Sequence, residues 1–262
     1  MTVLGIIDLR FTLSGFLVGL LVGQTGVGGG SLMTPLLVLV FGIHPATAVG
    51  TDLLYASVTK SVGTLVHGLN KTVDWRITRR LATGSLPATA LTLLVLSKVD
   101  LHGATQERAI SAVLGSMLLL TALALFFRQY LLVRAAPLLA RLTPRRSARL
   151  TVMIGAALGV LVTISSVGAG ALGVTALLLL YPAAPLAVIV GSDIAHAVPL
   201  TLLAGIGHWW IGGVDHLLLI SLLSGSIPGV VLGSWVAARV PDMVLRPLLA
   251  ATLTVVGLRI AV

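Results

Sequence analysis

Apolar residues run along this chain in stretches that exceed what a soluble core helix needs. From Ala109 to Val133 only Arg128 is charged, and about 20 apolar residues are enough to cross the hydrocarbon of a bilayer. The pattern predicts eight helical spans, near 13–42, 46–68, 78–97, 109–133, 150–180, 186–208, 216–238 and 243–262. The first and fifth are too long for a single crossing, since thirty helical residues reach about 45 Å against a hydrocarbon core of about 30 Å. Both carry glycines near their middle: Gly26, Gly28, Gly29 and Gly30 in one, Gly168 and Gly170 in the other. Each is expected to be a broken helix or a re-entrant hairpin.

The polar positions repeat. A shift of 140 places Gly15, Gly19, Gly28 and Gly30 on Gly155, Gly159, Gly168 and Gly170. With one extra residue the match continues: Gly50 and Asp52 meet Gly191 and Asp193, His67 meets His208, and Val73-Asp74 meets Val214-Asp215. Gly84-Ser85 and Pro87 then meet Gly225-Ser226 and Pro228. Glycines alone coincide easily in an apolar sequence; matched aspartate, histidine and proline at one offset do not. The expected fold is therefore all-α and polytopic, with two repeats of about four helices, the first helix of each broken at glycines. The first repeat covers 1–133, a basic linker 134–149 and the second repeat 150–262. Four full spans per half would make the repeats parallel. Three full spans and a glycine hairpin would make them inverted, and the contrast between the basic loop 69–77 and loop 209–215, which lacks Lys and Arg, favours inversion.

Composition agrees with a membrane protein. Charged residues are 10% and hydrophobic residues 57% of the chain, with mean hydropathy +1.09, whereas soluble domains carry about 25% charged residues. The formal charge of +9 does not indicate nucleic acid. Lys71, Arg76, Arg79 and Arg80 crowd one connection, and Arg134, Arg141, Arg145, Arg146 and Arg149 crowd another. This is the positive-inside pattern that sets orientation, and it places 69–77 and 134–149 in the cytoplasm. There is no cysteine, so disulfides and Cys-ligated metals or clusters are excluded; no metal or cofactor is expected. The N-terminus runs through Asp8 and Arg10 into a long apolar segment without the pattern of a cleavable signal.

Candidate chemistry sits at the glycine breaks and on the second helix of each half. Glycine permits positive φ and close backbone approach. A helix that restarts after a break aims unpaired N–H groups and the positive end of its dipole at whatever lies ahead. Paired breaks in two halves of a transporter point to a midplane site, here one suited to an anion and built on Gly28, Gly29, Gly30 and Ser31 with Gly168 and Gly170. Close helix packing through small residues is the competing reading, and it is preferred for Gly15, Gly19 and their partners. On the second helix, Thr59, Lys60, Gly63 and His67 lie within an arc of about 100° from Asp52. Asp193, Thr201, Ala204 and His208 form the matching face, with His196 beside it. Ionisable residues inside a span are functional candidates because burying them is costly. Asp52, Lys60, Asp193 and Thr201 are thus candidate substrate-binding residues. Asp52, His67, Asp193 and His208 are candidates for proton coupling, with helix-end capping the alternative for the histidines. Lys60 has no counterpart, since Thr201 stands at its repeat position. Asp74 and Asp215 fit N-caps, Trp75, Trp209 and Trp210 fit an aromatic belt, and Pro87 and Pro228 should kink their helices, with Ser85 or Ser226 answering a freed backbone group. No HExxH, Gly-x-Ser-x-Gly or Walker pattern is present.

At Gly26-Val27-Gly28-Gly29-Gly30-Ser31-Leu32-Met33-Thr34-Pro35, followed by Ala48-Val49-Gly50-Thr51-Asp52, the chain resembles the TauE/SafE sulfite exporter family, also called toluene sulfonate uptake permeases. The likeness covers nearly the whole chain. It implies a multi-pass protein of the bacterial cytoplasmic membrane that moves sulfur-containing anions such as sulfite, sulfoacetate and other sulfonates. The second half departs from the motif: Val167-Gly168-Ala169-Gly170-Ala171 lacks the triple glycine and Thr175 replaces the proline, so two equal half-sites are not expected. The resulting expectation is a secondary transporter or facilitator for small anions. A membrane assembly or chaperone-like subunit is the alternative, and an intramembrane hydrolase a more remote one. A homo-oligomer is compatible with the sequence.

Overall fold

A computed structural model describes residues 8–25, 30–98, 104–139 and 142–236, with 251, 254–255 and 257–259 near the C-terminus. Every regular element among them is a helix. The order is α1 (Leu9–Thr25), α2 (Gly30–Leu39), α3 (Pro45–Leu69), α4 (Trp75–Leu96), α5 (Ala104–Phe126), α6 (Arg128–Leu139), α7 (Pro144–Ser165), α8 (Ala171–Leu180), α9 (Leu186–Trp210) and α10 (His216–Val236).

The fifth expected span is divided, as its length requires: α7 ends at Ser165 and α8 restarts at Ala171. In the first, α1 and α2 flank residues 26–29, which lie outside the described residues together with most of the eighth span. The expected span 109–133 is also divided, at Phe127, into α5 and α6. The expected linker 134–149 is helical at both ends, where it belongs to α6 and α7. Among the described residues four helices are long and apolar enough to cross a membrane, within Arg108–Phe126, Pro144–Ser165, Leu186–Trp210 and His216–Gly233. α3 and α4 have comparable length but carry more polar side chains. Leu13, Leu91, Leu94, Leu123 and Ile220 project outward, a surface that suits lipid rather than water.

Local signals set the helix ends. The Asp74 carboxylate accepts from Arg76 N at 2.8 Å and caps α4, and Asp215 accepts from Leu218 N at 3.0 Å at the start of α10. Thr143 caps α7 ahead of Pro144. Ser85 does not answer a backbone group freed by Pro87, because its hydroxyl is engaged by His196 Nε2 at 2.8 Å.

Small residues set the helix pairing. α1 lies along α10, α4 along α7 and α3 along α9. A Cβ on Gly15 would strike the Leu222 backbone and one on Gly19 the Ser226 backbone. Likewise Gly155 meets Leu81 and Gly159 meets Ser85. Numbering rises together in each pair, so α1 and α10 run parallel, as do α4 and α7. α3 and α9 run antiparallel: Gly50 near the start of α3 lies against Gly213 and His208, while Gly191 near the start of α9 lies against Thr72 and His67. The N-termini of α4 and α7 therefore share one face, and with them Lys71, Arg76, Arg79, Arg145, Arg146 and Arg149. The N-termini of α1 and α10 occupy the other.

Two outcomes follow from this packing. Gly84→Ala, which drives a Cβ into the Val152 carbonyl, should destabilise the detergent-solubilised protein by about 1–3 kcal/mol. Gly68→Ala, with no heavy atom within 4 Å of the new Cβ, should leave the melting temperature unchanged. In intact cells, Asn70→Cys and Arg146→Cys should share one accessibility to an impermeant thiol reagent and His216→Cys should show the opposite; Asn70→Cys and His216→Cys labelling alike would contradict the helix directions.

Candidate functional site

α3 brings its charged residues to the middle of the helix bundle. Asp52 is fully buried and Lys60 nearly so. Around them Val49, Leu53, Val162, Ala169, Ala197, Leu200 and Ala204 form an apolar cluster between α3, α7 and α9, so no water-like surroundings offset the charge. The polar partners come from backbone and hydroxyls. Asp52 Oδ2 accepts from Thr34 Oγ1 of α2 and from Ser166 Oγ at 3.0 Å. Lys60 Nζ donates to the Ala169 carbonyl oxygen at 3.2 Å. Both charged groups of α3 thus reach the segment between α7 and α8.

That segment is held in a conformation few residues tolerate. Ser166 is left-handed at φ 56°, and Gly168 and Gly170 lie at φ 110° and 131°. Side chains with a Cβ avoid this region, which is why glycine alternates here. Ser165 Oγ accepts from Val167 N at 3.2 Å and donates to the Leu161 carbonyl at 2.7 Å. His208 Nε2 donates to the Thr163 carbonyl at 2.8 Å, and a carbonyl partner requires that nitrogen to carry a proton. α8 then begins after Gly170 with no side-chain cap, and the opening N–H groups of a helix have no partner within it.

α9 completes the centre. Asp193 is buried and lies against Gly173 of α8, where any Cβ would strike its carboxylate. Neither Asp193 oxygen has a hydrogen-bond partner among the described residues. Lys60 and Asp193 thus lie against the same break, Lys60 at the Ala169 carbonyl and Asp193 at Gly173. The centre therefore gathers one ammonium and one carboxylate from α3 and a second carboxylate from the antiparallel α9.

Among the candidates from sequence, Asp52, Lys60 and Asp193 come together with the backbone around Gly168 and Gly170. Thr201 is buried, and its hydroxyl donates to the Ala197 carbonyl within its own helix at 2.8 Å. His67 lies at the end of α3, half-buried, its Nδ1 2.8 Å from Thr72 Oγ1. His208 reaches the end of α7 from the far end of α9. Gly30 opens α2; Gly28 and Gly29 lie outside the described residues, as does the Ser31 side chain. Thr34, Ser166, the Ala169 carbonyl and Gly173 were not singled out as parts of the site. A hydroxyl inside an otherwise apolar half-helix was the available signal for Thr34. Elsewhere, an apolar crevice of about 510 Å³ lies between Ala122, Phe126, Phe127 and Val255, remote in sequence from these groups. No group of three or more His, Asp or Glu able to hold a metal occurs among the described residues.

Comparison with known proteins adds the following. The model of the family "Sulfite exporter TauE/SafE" matches residues 11–260. The Bacillus subtilis (strain 168) protein named "Probable membrane transporter protein YjnA" is 40% identical over 249 residues, covering 95% of this chain and 97% of the relative. "Probable membrane transporter protein YdhB" of the same organism is 27% identical over 247 residues, covering 93% and 96%. No solved structure matches.

The geometry of the centre sets expectations for stability. Thr34→Val should cost about 1–3 kcal/mol in thermal unfolding of the solubilised protein, because a buried carboxylate oxygen loses a donor. Gly170→Ala should cost a comparable 1–3 kcal/mol, roughly the strain of holding a Cβ at an unsuitable φ. A Gly170→Ala protein as stable as the parent would show that the break does not hold this conformation.

Proposed function

The chain belongs to the sulfite exporter TauE/SafE family and is a membrane transporter, not an enzyme; on that premise we propose that it carries small sulfur-containing anions, sulfite and sulfonates such as sulfoacetate, by secondary transport across the bacterial cytoplasmic membrane. The observation that carries this reading is Lys60. It is a buried ammonium, held by the Ala169 carbonyl at a backbone break whose next helix opens uncapped. The helix that opens beside this carbonyl has no side-chain cap, and of its first N–H groups that of Gly173 is taken by the Gly168 carbonyl at 3.3 Å; an ammonium and a helix N-terminus both favour negative charge. An ammonium has three donors; the Ala169 carbonyl takes one, leaving others for an oxyanion. Sulfite and sulfonates present three oxygens on one face of sulfur, which suits a cluster of donors around a single cation.

The duplicated architecture belongs to the same proposal, with repeats over 1–133 and 150–262 joined by the linker 134–149. Its support is the recurrence of contacts. The pairs Gly15–Leu222 and Gly155–Leu81, Gly19–Ser226 and Gly159–Ser85, and Gly50–Gly213 and Gly191–Thr72 occupy equivalent positions in the two halves. Two further equivalent contacts are hydrogen bonds: Asp74 N donates to Ser192 Oγ at 2.8 Å and Asp215 N donates to Thr51 Oγ1 at 3.1 Å. Equivalent helices α3 and α9 run antiparallel, which fits inverted repeats related by an axis in the membrane plane. Such repeats give a site between them two exchangeable ways to open. Gly28, Gly29, Gly30 and Ser31 would supply the first half's share of the site. His67 and His208 act in this reading as fasteners of helix ends, on the strength of their bonds to Thr72 and the Thr163 carbonyl.

In proteoliposomes the protein should give saturable flux of labelled sulfite or methanesulfonate. Lys60→Ala should raise the half-saturating concentration by about tenfold or more, the worth of one desolvated charge-assisted bond. A parent protein without saturable flux, or a folded Lys60→Ala protein with parental affinity, would overturn the assignment.

A further inference from the structure

The two carboxylates of this centre have unequal surroundings. Asp52 is tied down by two hydroxyl donors on one oxygen, from Thr34 on one side and Ser166 on the other. It therefore joins α2, α3 and the end of α7. Asp193 has no hydrogen bond at either oxygen among the described residues, although it is 1% exposed. Thr175, the threonine of α8, donates instead to the Ala171 carbonyl in its own helix at 2.7 Å. The other ionisable groups around Asp193 are few. α3 presents Lys60, Asp52 and, at its end against Gly191, His67. α9 itself presents His196, whose Nε2 is engaged by Ser85 of α4. α8 presents Gly173 and has no ionisable residue. From the turn before α4, Asp74 meets the neighbouring Ser192 through its backbone N–H. Lys60 is the one lysine or arginine among these groups.

From this asymmetry we infer that Asp193, rather than Asp52, takes up one proton when the transported anion settles beside Lys60. The inference rests on the anion site proposed above. In the empty site Lys60 and Asp193 lie against the same break between α7 and α8, at the Ala169 carbonyl and at Gly173. An arriving anion takes the ammonium as its partner. The Asp193 carboxylate would then be a buried charge without hydrogen bonds or counter-ion, a costly arrangement that protonation removes. The proton comes from the aqueous side to which the site is open and binds a carboxylate oxygen; no other bond changes. The centre gains one anion and one proton, so its net charge is the same loaded and empty. Anion and proton then travel in the same direction, and Asp52 stays bound to Thr34 and Ser166 throughout.

Methanesulfonate is a suitable probe beside sulfite because it stays ionised over the working pH range and contributes no proton of its own. Infrared difference spectra of the purified parent protein should show a protonated-carboxyl band when methanesulfonate or sulfite is added. The Asp52→Asn protein should keep that band, and the Asp193→Asn protein should lose it. In proteoliposomes the parent should accumulate labelled anion when the outside is acid relative to the inside. Asp193→Asn should lose that accumulation. A band absent from the parent during saturable binding, or a band lost in Asp52→Asn and kept in Asp193→Asn, would overturn the role of Asp193 and leave the anion site standing. Absence of saturable binding and flux for both anions would remove both readings. Should Asp193→Asn fail to fold, the parent and Asp52→Asn spectra still decide the matter.

Discussion

One constraint organises this molecule: a lysine and two aspartates have to be accommodated where no water or lipid headgroup can solvate them. Each such group costs about 2.5–3.5 kcal/mol at the centre of a membrane helix on insertion scales. A single neutral hydrogen bond returns only about 0.5–1.5 kcal/mol, so a regular helix bundle with saturated backbone could not hold all three. The chain meets the demand by interrupting a helix. The break between α7 and α8 releases a carbonyl for Lys60 and positions the Ser166 hydroxyl for Asp52. Non-helical backbone at such depth is tolerated only when protein covers it, and α3 and α9 provide that cover.

Holding the break in place requires close and well-defined helix contact. Glycines at 15, 19, 84, 155, 159 and 225 bring α1 against α10 and α4 against α7 at backbone distance. Between these two parallel pairs, α3 and α9 cross the centre in opposite directions. Cross-helix bonds then link their ends, Asp74 to Ser192 and Asp215 to Thr51. Packing of this kind depends on shape rather than on an apolar driving force, because lipid tails are as apolar as the helix surfaces they replace. Within the centre so enclosed, Asp52 accepts hydrogen bonds from Thr34 and Ser166, while Asp193 accepts none among the described residues.

Much of this was legible in the sequence because ionisable residues are conspicuous in apolar spans. Asp52, Lys60 and Asp193 stood out for that reason, and Gly168 and Gly170 because a span of that length has to break. Lys71, Arg76, Arg145 and Arg146 marked two basic connections, which the packing of α4 against α7 brings to one face. The partners were not legible. Ser166 and Thr34 are ordinary hydroxyl residues whose importance depends on which helix faces them, and the Ala169 carbonyl has no sequence signature. The bond from His208 to the Thr163 carbonyl joins residues 45 positions apart and follows only from the antiparallel crossing of α3 and α9 and the place where α7 stops. The division of the span 109–133 at Phe127 interrupts an unbroken apolar pattern, and periodicity carries no mark of it.

The most direct test of the account is where the anion binds. Selenite is the selenium analogue of sulfite, and selenium can be located by anomalous scattering in crystals of the native protein soaked or grown with it. The account predicts an anomalous peak beside Lys60 Nζ, facing the opening N–H groups of α8 after Gly170. A well-ordered selenite bound away from Lys60, with the segment 166–170 unoccupied, would contradict it.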